Sequence, residues 1–140
     1  MNRLLMFAIL FSLCFPVMGQ TFVIITMNAE IDALHSNQVK MLYRGRISNI
    51  NGLPIRLMDL PRESDYRKHF YQQLLNKTPN QMAAIWARQS FSGNAVAPIE
   101  IKDESQTVIV NWLRNNANGI AYVPEHLLPE DAYVIYKLTE

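Results

Sequence analysis

The sequence predicts a single α/β domain, a mixed sheet with helices packed on it, preceded by an export signal. Three observations carry that prediction. Runs of β-branched and aromatic residues alternate with stretches whose apolar residues recur at helical spacing. Strands interleaved with helices in this way build layered α/β domains. The first twenty residues have the layout of a secretory signal, and the 140-residue length with 49% hydrophobic residues suits one core.

The signal comes first. Met1-Asn2-Arg3 supplies one positive charge, and Leu4 to Met18 is uncharged and apolar apart from Ser12. Val17-Met18-Gly19 then precedes a cut ahead of Gln20. The apolar run is shorter than the ~20 residues needed to span a bilayer. Cys14 follows Phe11-Ser12-Leu13, which lacks the small residue expected before a lipidated cysteine. The expected division is therefore 1–19 as signal peptide and 20–140 as the mature domain, exported to the periplasm. Cys14 is the one cysteine, so the mature domain has no thiol and must rely on its apolar core.

Thr21 to Thr26 is β-branched and aromatic, and reads as a strand buried on both faces. Ser36-Asn37-Gln38 opens a helix whose face is Val39, Leu42 and Tyr43, with Gly45 in the place of a left-handed C-cap. Ile47 to Gly52 reads as a loop with an Asn-Gly turn, and Pro54 to Leu60 as the second strand. Together these form a first strand–helix–strand unit, to which the right-handed crossover rule is expected to apply.

Ser64 caps a helix with the stripe Tyr66, Phe70, Leu74, broken at Asn76-Lys77. Thr78-Pro79 starts the next, with Met82, Ile85 and Trp86 on one face and a stop at Ser92-Gly93-Asn94. Residues 93–104 read as a long polar connection. Ser105 caps a further helix through Val108, Ile109, Trp112 and Leu113. Gly119 to Val123 and Ala132 to Leu138 are the last two strands. Tyr133 and Tyr136 fall on opposite faces of the final strand, which could pair with a partner chain if it lies at a sheet edge.

Charge excludes some functions and concentrates others. Lys and Arg number 13 against 12 Asp and Glu, a balance unlike that of a strongly basic nucleic-acid binder. The distribution is uneven: Lys40 to Arg88 carries net +6, and Ile99 to Glu140 carries net −4. Solvated helix faces explain this, as does a positive rim that attracts an anion or an acidic partner.

Several segments, in order, resemble the periplasmic phosphate-binding-protein-like family of ABC-transporter solute receptors. Val39 to Ile47 resembles the family's helix followed by aromatic, x, Gly, Lys, Ile, and Leu53 to Leu57 its next strand. Ser64-Asp65-Tyr66-Arg67-Lys68-His69-Phe70 lies where the family has a Ser-Gly-Thr helix start followed by Phe. Trp86 and Phe91-Ser92-Gly93 resemble a helix and stop of its small members, and Asn118 to Val123 its Pro-Gly-x-Ile-Gly-Tyr-Val strand. The resemblance implies a type 2 periplasmic-binding fold, in which two lobes close on a ligand. This chain has length for a single lobe.

The same resemblance places an anion site at Ser64, Asp65, Tyr66 and Arg67, with Arg62 nearby. The family's triplet wraps phosphate and has an Arg four residues ahead. Here Asp65 replaces Gly, Tyr66 replaces Thr, and Leu60 stands where the Arg would be. Ser64 alone matches. Free N–H groups and the helix dipole at this point favour an anion, and Arg62 or Arg67 could add charge from new positions. A plain N-cap also accounts for the segment, with Ser64 capping, Asp65 complementing the dipole and Tyr66 packing, at ~1 kcal/mol of stability.

Other chemistries find little support. His35, His69 and His126 show no metal-ligand spacing. Ser64, His69 and Asp59 are triad residue types, but there is no nucleophile elbow. No phosphate loop or dinucleotide fingerprint occurs. Trp86, Trp112, Phe70 and Tyr122 sit at core spacings. The expectation is a non-enzymatic solute-binding-like protein with no catalytic residues, no metal and no cofactor. Its expected partners are a small phosphate-like anion and a membrane transporter or sensor protein, with a homodimer as a way to rebuild the missing lobe. Nucleic acid is not expected, and membrane contact would come only through an uncleaved signal. The alternative is a single-lobe interaction module of the cell envelope that has lost solute binding.

Overall fold

The computed structural model describes residues 19–139. The expected signal peptide lies, apart from Gly19, outside the described residues. Twelve short elements follow one another. β1 (Phe22–Thr26), α1 (Ser36–Tyr43), β2 (Asn49–Ile50), β3 (Leu53–Pro54) and β4 (Arg56–Asp59) come first. α2 (Asp65–Leu75), α3 (Pro79–Phe91), β5 (Ile99–Glu100) and α4 (Gln106–Asn115) follow, then β6 (Gly119–Pro124), a 3₁₀ turn (Glu125–Leu127) and β7 (Tyr133–Leu138). None of the described helices is long and apolar enough to cross a membrane.

Five strands form one mixed sheet in the order β5-β4-β6-β1-β7. β4 runs parallel to both β5 and β6, while β1 runs antiparallel to β6 and β7. β4, β6 and β1 are the inner strands, and every residue of β6 and β1 is buried. That is why Phe22 to Thr26 reads as a continuous apolar run rather than an alternating one. β7 is an edge strand, with Tyr133 and Val134 exposed.

Local signals set the helix starts. Ser64 accepts from the Arg67 N–H, Thr78 from Gln81 and Ser105 from Val108, so all three expected N-caps form. Gln81 returns a bond to the Thr78 N–H, closing a capping box. Asn76 ends α2 in the left-handed region at φ 53°. α2 and α4 both pack on β6. Phe22, Tyr43, Phe70, Tyr71 and Tyr122 form an aromatic centre, in which Phe70 and Tyr122 stack with centroids 3.7 Å apart.

Three expectations need correction. The first strand–helix–strand unit is not a parallel crossover: β1 and β4 run in opposite senses, with β6 between them. The handedness rule for parallel strands therefore has no purchase on it. Its connection holds a hairpin, β2 to β3, closed by Asn51 and Gly52, both at positive φ. That hairpin takes Pro54 out of the second strand, which begins at Arg56. The connection over residues 93–104 is also not free of structure. β5 pairs there with the end of β4, where Met58 faces Ile99 and Asp59 faces Glu100.

Candidate functional site

The three parallel strands β4, β5 and β6 end on one side of the sheet, which is where ligands of open α/β sheets bind. The residues expected to form the anion site follow directly from β4. Asp59 is the last residue of that strand and is buried. It accepts a hydrogen bond from the Tyr71 hydroxyl of α2 at 2.8 Å and another, short one, from the Tyr122 hydroxyl of β6. The Arg67 guanidinium of α2 lies 3.4 Å from the same carboxylate. Tyr122 also accepts from the Leu60 N–H at 3.2 Å, so its hydroxyl serves both strand end and carboxylate.

Burial pushes the Asp59 carboxyl above its ordinary value, while Arg67 and the two tyrosine donors oppose that shift. Burial and then the Asp59 charge push Tyr71 and Tyr122 well above the usual phenol value. Both therefore stay protonated and keep donating. Tyr43 is raised for the same two reasons, and its buried hydroxyl has no hydrogen-bond partner among the described residues. Asp59 is the residue that the sequence reading missed as an anchor. The available signal was an acid inside the apolar segment Leu57-Met58-Asp59-Leu60, where a buried carboxylate needs partners.

Ser64 begins α2 a few residues later. Its hydroxyl accepts from the Arg67 N–H at 3.3 Å and donates to Glu104 Oε2 at 2.5 Å. A carboxylate of the chain's own thus sits at the α2 N-terminus, where the helix dipole favours negative charge. Arg67 is mostly buried and already engaged: it donates to the Leu60 carbonyl at 3.1 Å and lies 3.9 Å from Glu100 as well as near Asp59. The Arg62 N–H donates to Glu100 at 2.6 Å. Tyr66 points its hydroxyl toward His126 Nε2 at 3.4 Å, with the two rings edge to face. Asp65 is exposed.

The structure therefore brings Ser64, Arg67 and the Arg62 backbone together at the ends of β4 and β5. Tyr66 turns toward the 3₁₀ turn after β6. Glu100 and Glu104 complete the arrangement, and neither was among the expected site residues. No hydrogen bond joins Ser64 to Asp59, and His69 bonds to neither of them, so the triad residue types are not assembled. No group of three or more His, Cys, Asp or Glu residues could hold a metal among the described residues. What the arrangement can do chemically is hold an oxyanion: the Ser64 hydroxyl donates to the Glu104 carboxylate at the N-terminus of α2, where the helix dipole favours negative charge.

Comparison with solved structures decides the architecture. The chain superposes on a structure described as a phosphate ABC transporter substrate-binding protein with bound phosphate from Clostridium perfringens, with TM-score 0.62 and 19% identity. The fold is that of a single lobe of the type 2 periplasmic-binding fold. The match covers 85% of this chain and 46% of that receptor. An ABC-type phosphate transport receptor from Vibrio cholerae matches at TM-score 0.61 and 12% identity, over 84% of this chain and 47% of the receptor. The chain thus spans about half the length of the receptors it resembles. No protein-family model and no curated protein matches the sequence.

Proposed function

We propose that this phosphate-receptor-like lobe is an exported, non-enzymatic solute-binding protein that contacts a small anion at the start of α2. One observation carries the reading: Glu104 Oε2 lies 2.5 Å from Ser64 Oγ at a helix N-terminus, so the position accepts an oxyanion. In the free lobe that oxyanion is the chain's own. An incoming anion has to displace Glu104, and it meets the negative charge of Asp65 and Glu100 nearby. The periplasm is the proposed location, on the Met1–Gly19 signal pattern.

A thermal-shift panel on the wild type and on Glu104→Ala tests this. A ligand that binds only the folded state adds ~2.7 kcal/mol at 100 times its dissociation constant. Phosphate should shift Glu104→Ala more than the wild type, because the variant lacks the internal competitor. Ser64→Ala added to Glu104→Ala should remove the gain.

A second reading is favoured by a different observation. Arg67 is taken up by Asp59 and the Leu60 carbonyl, the Arg62 N–H by Glu100, and Ser64 by Glu104. On that reading the lobe has given up solute binding and serves as an interaction module, with a membrane transporter or sensor protein as its partner. The absence of any shift with phosphate, sulfate and carboxylates, in both proteins, overturns the first reading in favour of this one.

A further inference from the structure

The strongest concentration of uncompensated charge lies away from the α2 start. Arg44 is the C-cap of α1, and Arg46 follows it by two residues. Lys77 follows the left-handed Asn76 that ends α2, and Arg88 lies in the last turn of α3. These four cations line one concavity of about 620 Å³, and no acidic residue lines it with them among the described residues. None of the four forms an ion pair among the described residues. Met41 and Ile85 supply its apolar part.

A cation near a helix C-terminus is favourable on its own account, by ~0.3–1 kcal/mol. That explains each residue singly. It does not explain why three helix ends direct their cations to one hollow, since like charges brought together without a counter-charge repel. The turn that carries Arg44 and Arg46 is also fixed in place. Gly45 sits at φ +70°, and a Cβ there would come within 2.9 Å of the Trp86 ring of α3. Only glycine lets this turn lie against α3, and that contact sets Arg44 and Arg46 over the helix carrying Arg88.

We propose that this concavity is a binding site for a phosphate-bearing anion. Guanidinium groups recognise phosphoryl oxygens with two parallel hydrogen bonds, and three of the four cations are arginine. The volume is that of an ordinary small-molecule site and exceeds what a lone inorganic phosphate fills. The apolar part suits a ligand with a carbon body beside its phosphate. The site shares no residue with the α2 start, so it stands or falls independently of the reading above.

The test is calorimetric titration of the mature chain with pyrophosphate, beside sedimentation with phosphatidylglycerol and phosphatidylcholine vesicles. Arg44→Gln/Arg88→Gln should weaken pyrophosphate binding at least tenfold. Lys68→Gln/Lys102→Gln, which removes the same charge from exposed positions elsewhere, should change it less than twofold. Lys77→Gln alone should give a smaller loss and covers the case in which the double variant does not fold. Binding to phosphatidylglycerol vesicles but not to pyrophosphate, with the same variant dependence, assigns the phosphate to a lipid headgroup and supports the site. Failure to bind either probe, or equal loss in the Lys68/Lys102 control, overturns it.

Discussion

Removing one hydroxyl at a time from the Asp59 cluster should separate two tyrosines that look alike in sequence. Tyr71 and Tyr122 are both fully buried, and each donates to one oxygen of Asp59. Tyr71→Phe removes a single hydrogen bond to a charged group, which costs ~1.5–3 kcal/mol. Tyr122→Phe removes an equivalent bond and also strands the buried Leu60 N–H, whose acceptor at 3.2 Å is the same hydroxyl. An unsatisfied buried donor adds ~1–3 kcal/mol, so Tyr122→Phe should cost more than Tyr71→Phe by about that amount. Ring packing, including the Phe70–Tyr122 stack, is kept in both variants. Urea denaturation at pH 7 reads the difference as a lower midpoint at unchanged slope. If Tyr71→Phe destabilises as much as Tyr122→Phe, the dual role of the Tyr122 hydroxyl is wrong. The double variant should fall short of additivity, because both tyrosines act on one carboxylate.

Two further outcomes follow from the same packing. Gly45→Ala forces a side chain into a left-handed turn against the Trp86 ring, and should lower stability by ~1–3 kcal/mol in the same urea assay. The Asp59 carboxyl titrates above its ordinary value in the folded protein, chiefly because it is buried. Between the unfolded and folded values the native state holds a proton that the unfolded chain has released, so this group's contribution falls as pH rises through that window. Asp59→Asn should flatten that part of the stability profile. An unchanged profile in the variant would show that burial does not govern this carboxyl.

What the sequence made legible was local. Ser64, Thr78 and Ser105 each bond to a backbone N–H three residues on, and all three helix starts were readable. The buried strand Phe22–Thr26 was readable from its own composition. The illegible parts depend on residues far apart in the chain. β5 is two residues long and has no periodicity to detect; its existence depends on the end of β4 some forty positions away. The sense of β4 follows from its pairing with β6, not from the helix before it. The candidate site divides in the same way: Ser64 announces itself, whereas its partner Glu104 is 40 positions distant, and the Tyr122 that holds Asp59 is 63 positions distant. The charge asymmetry of the sequence shows how the two levels join. Its basic middle and acidic end meet at the α2 start, where Glu100 lies beside Arg67 and Glu104 binds Ser64. That meeting uses only part of the positive excess. Arg44, Arg46, Lys77 and Arg88 gather on another face, in a hollow that no acid lines among the described residues. Internal neutralisation at the strand ends and an open cationic hollow at the helix ends are therefore two outcomes of one uneven distribution, and the second is where an external anion meets the least competition.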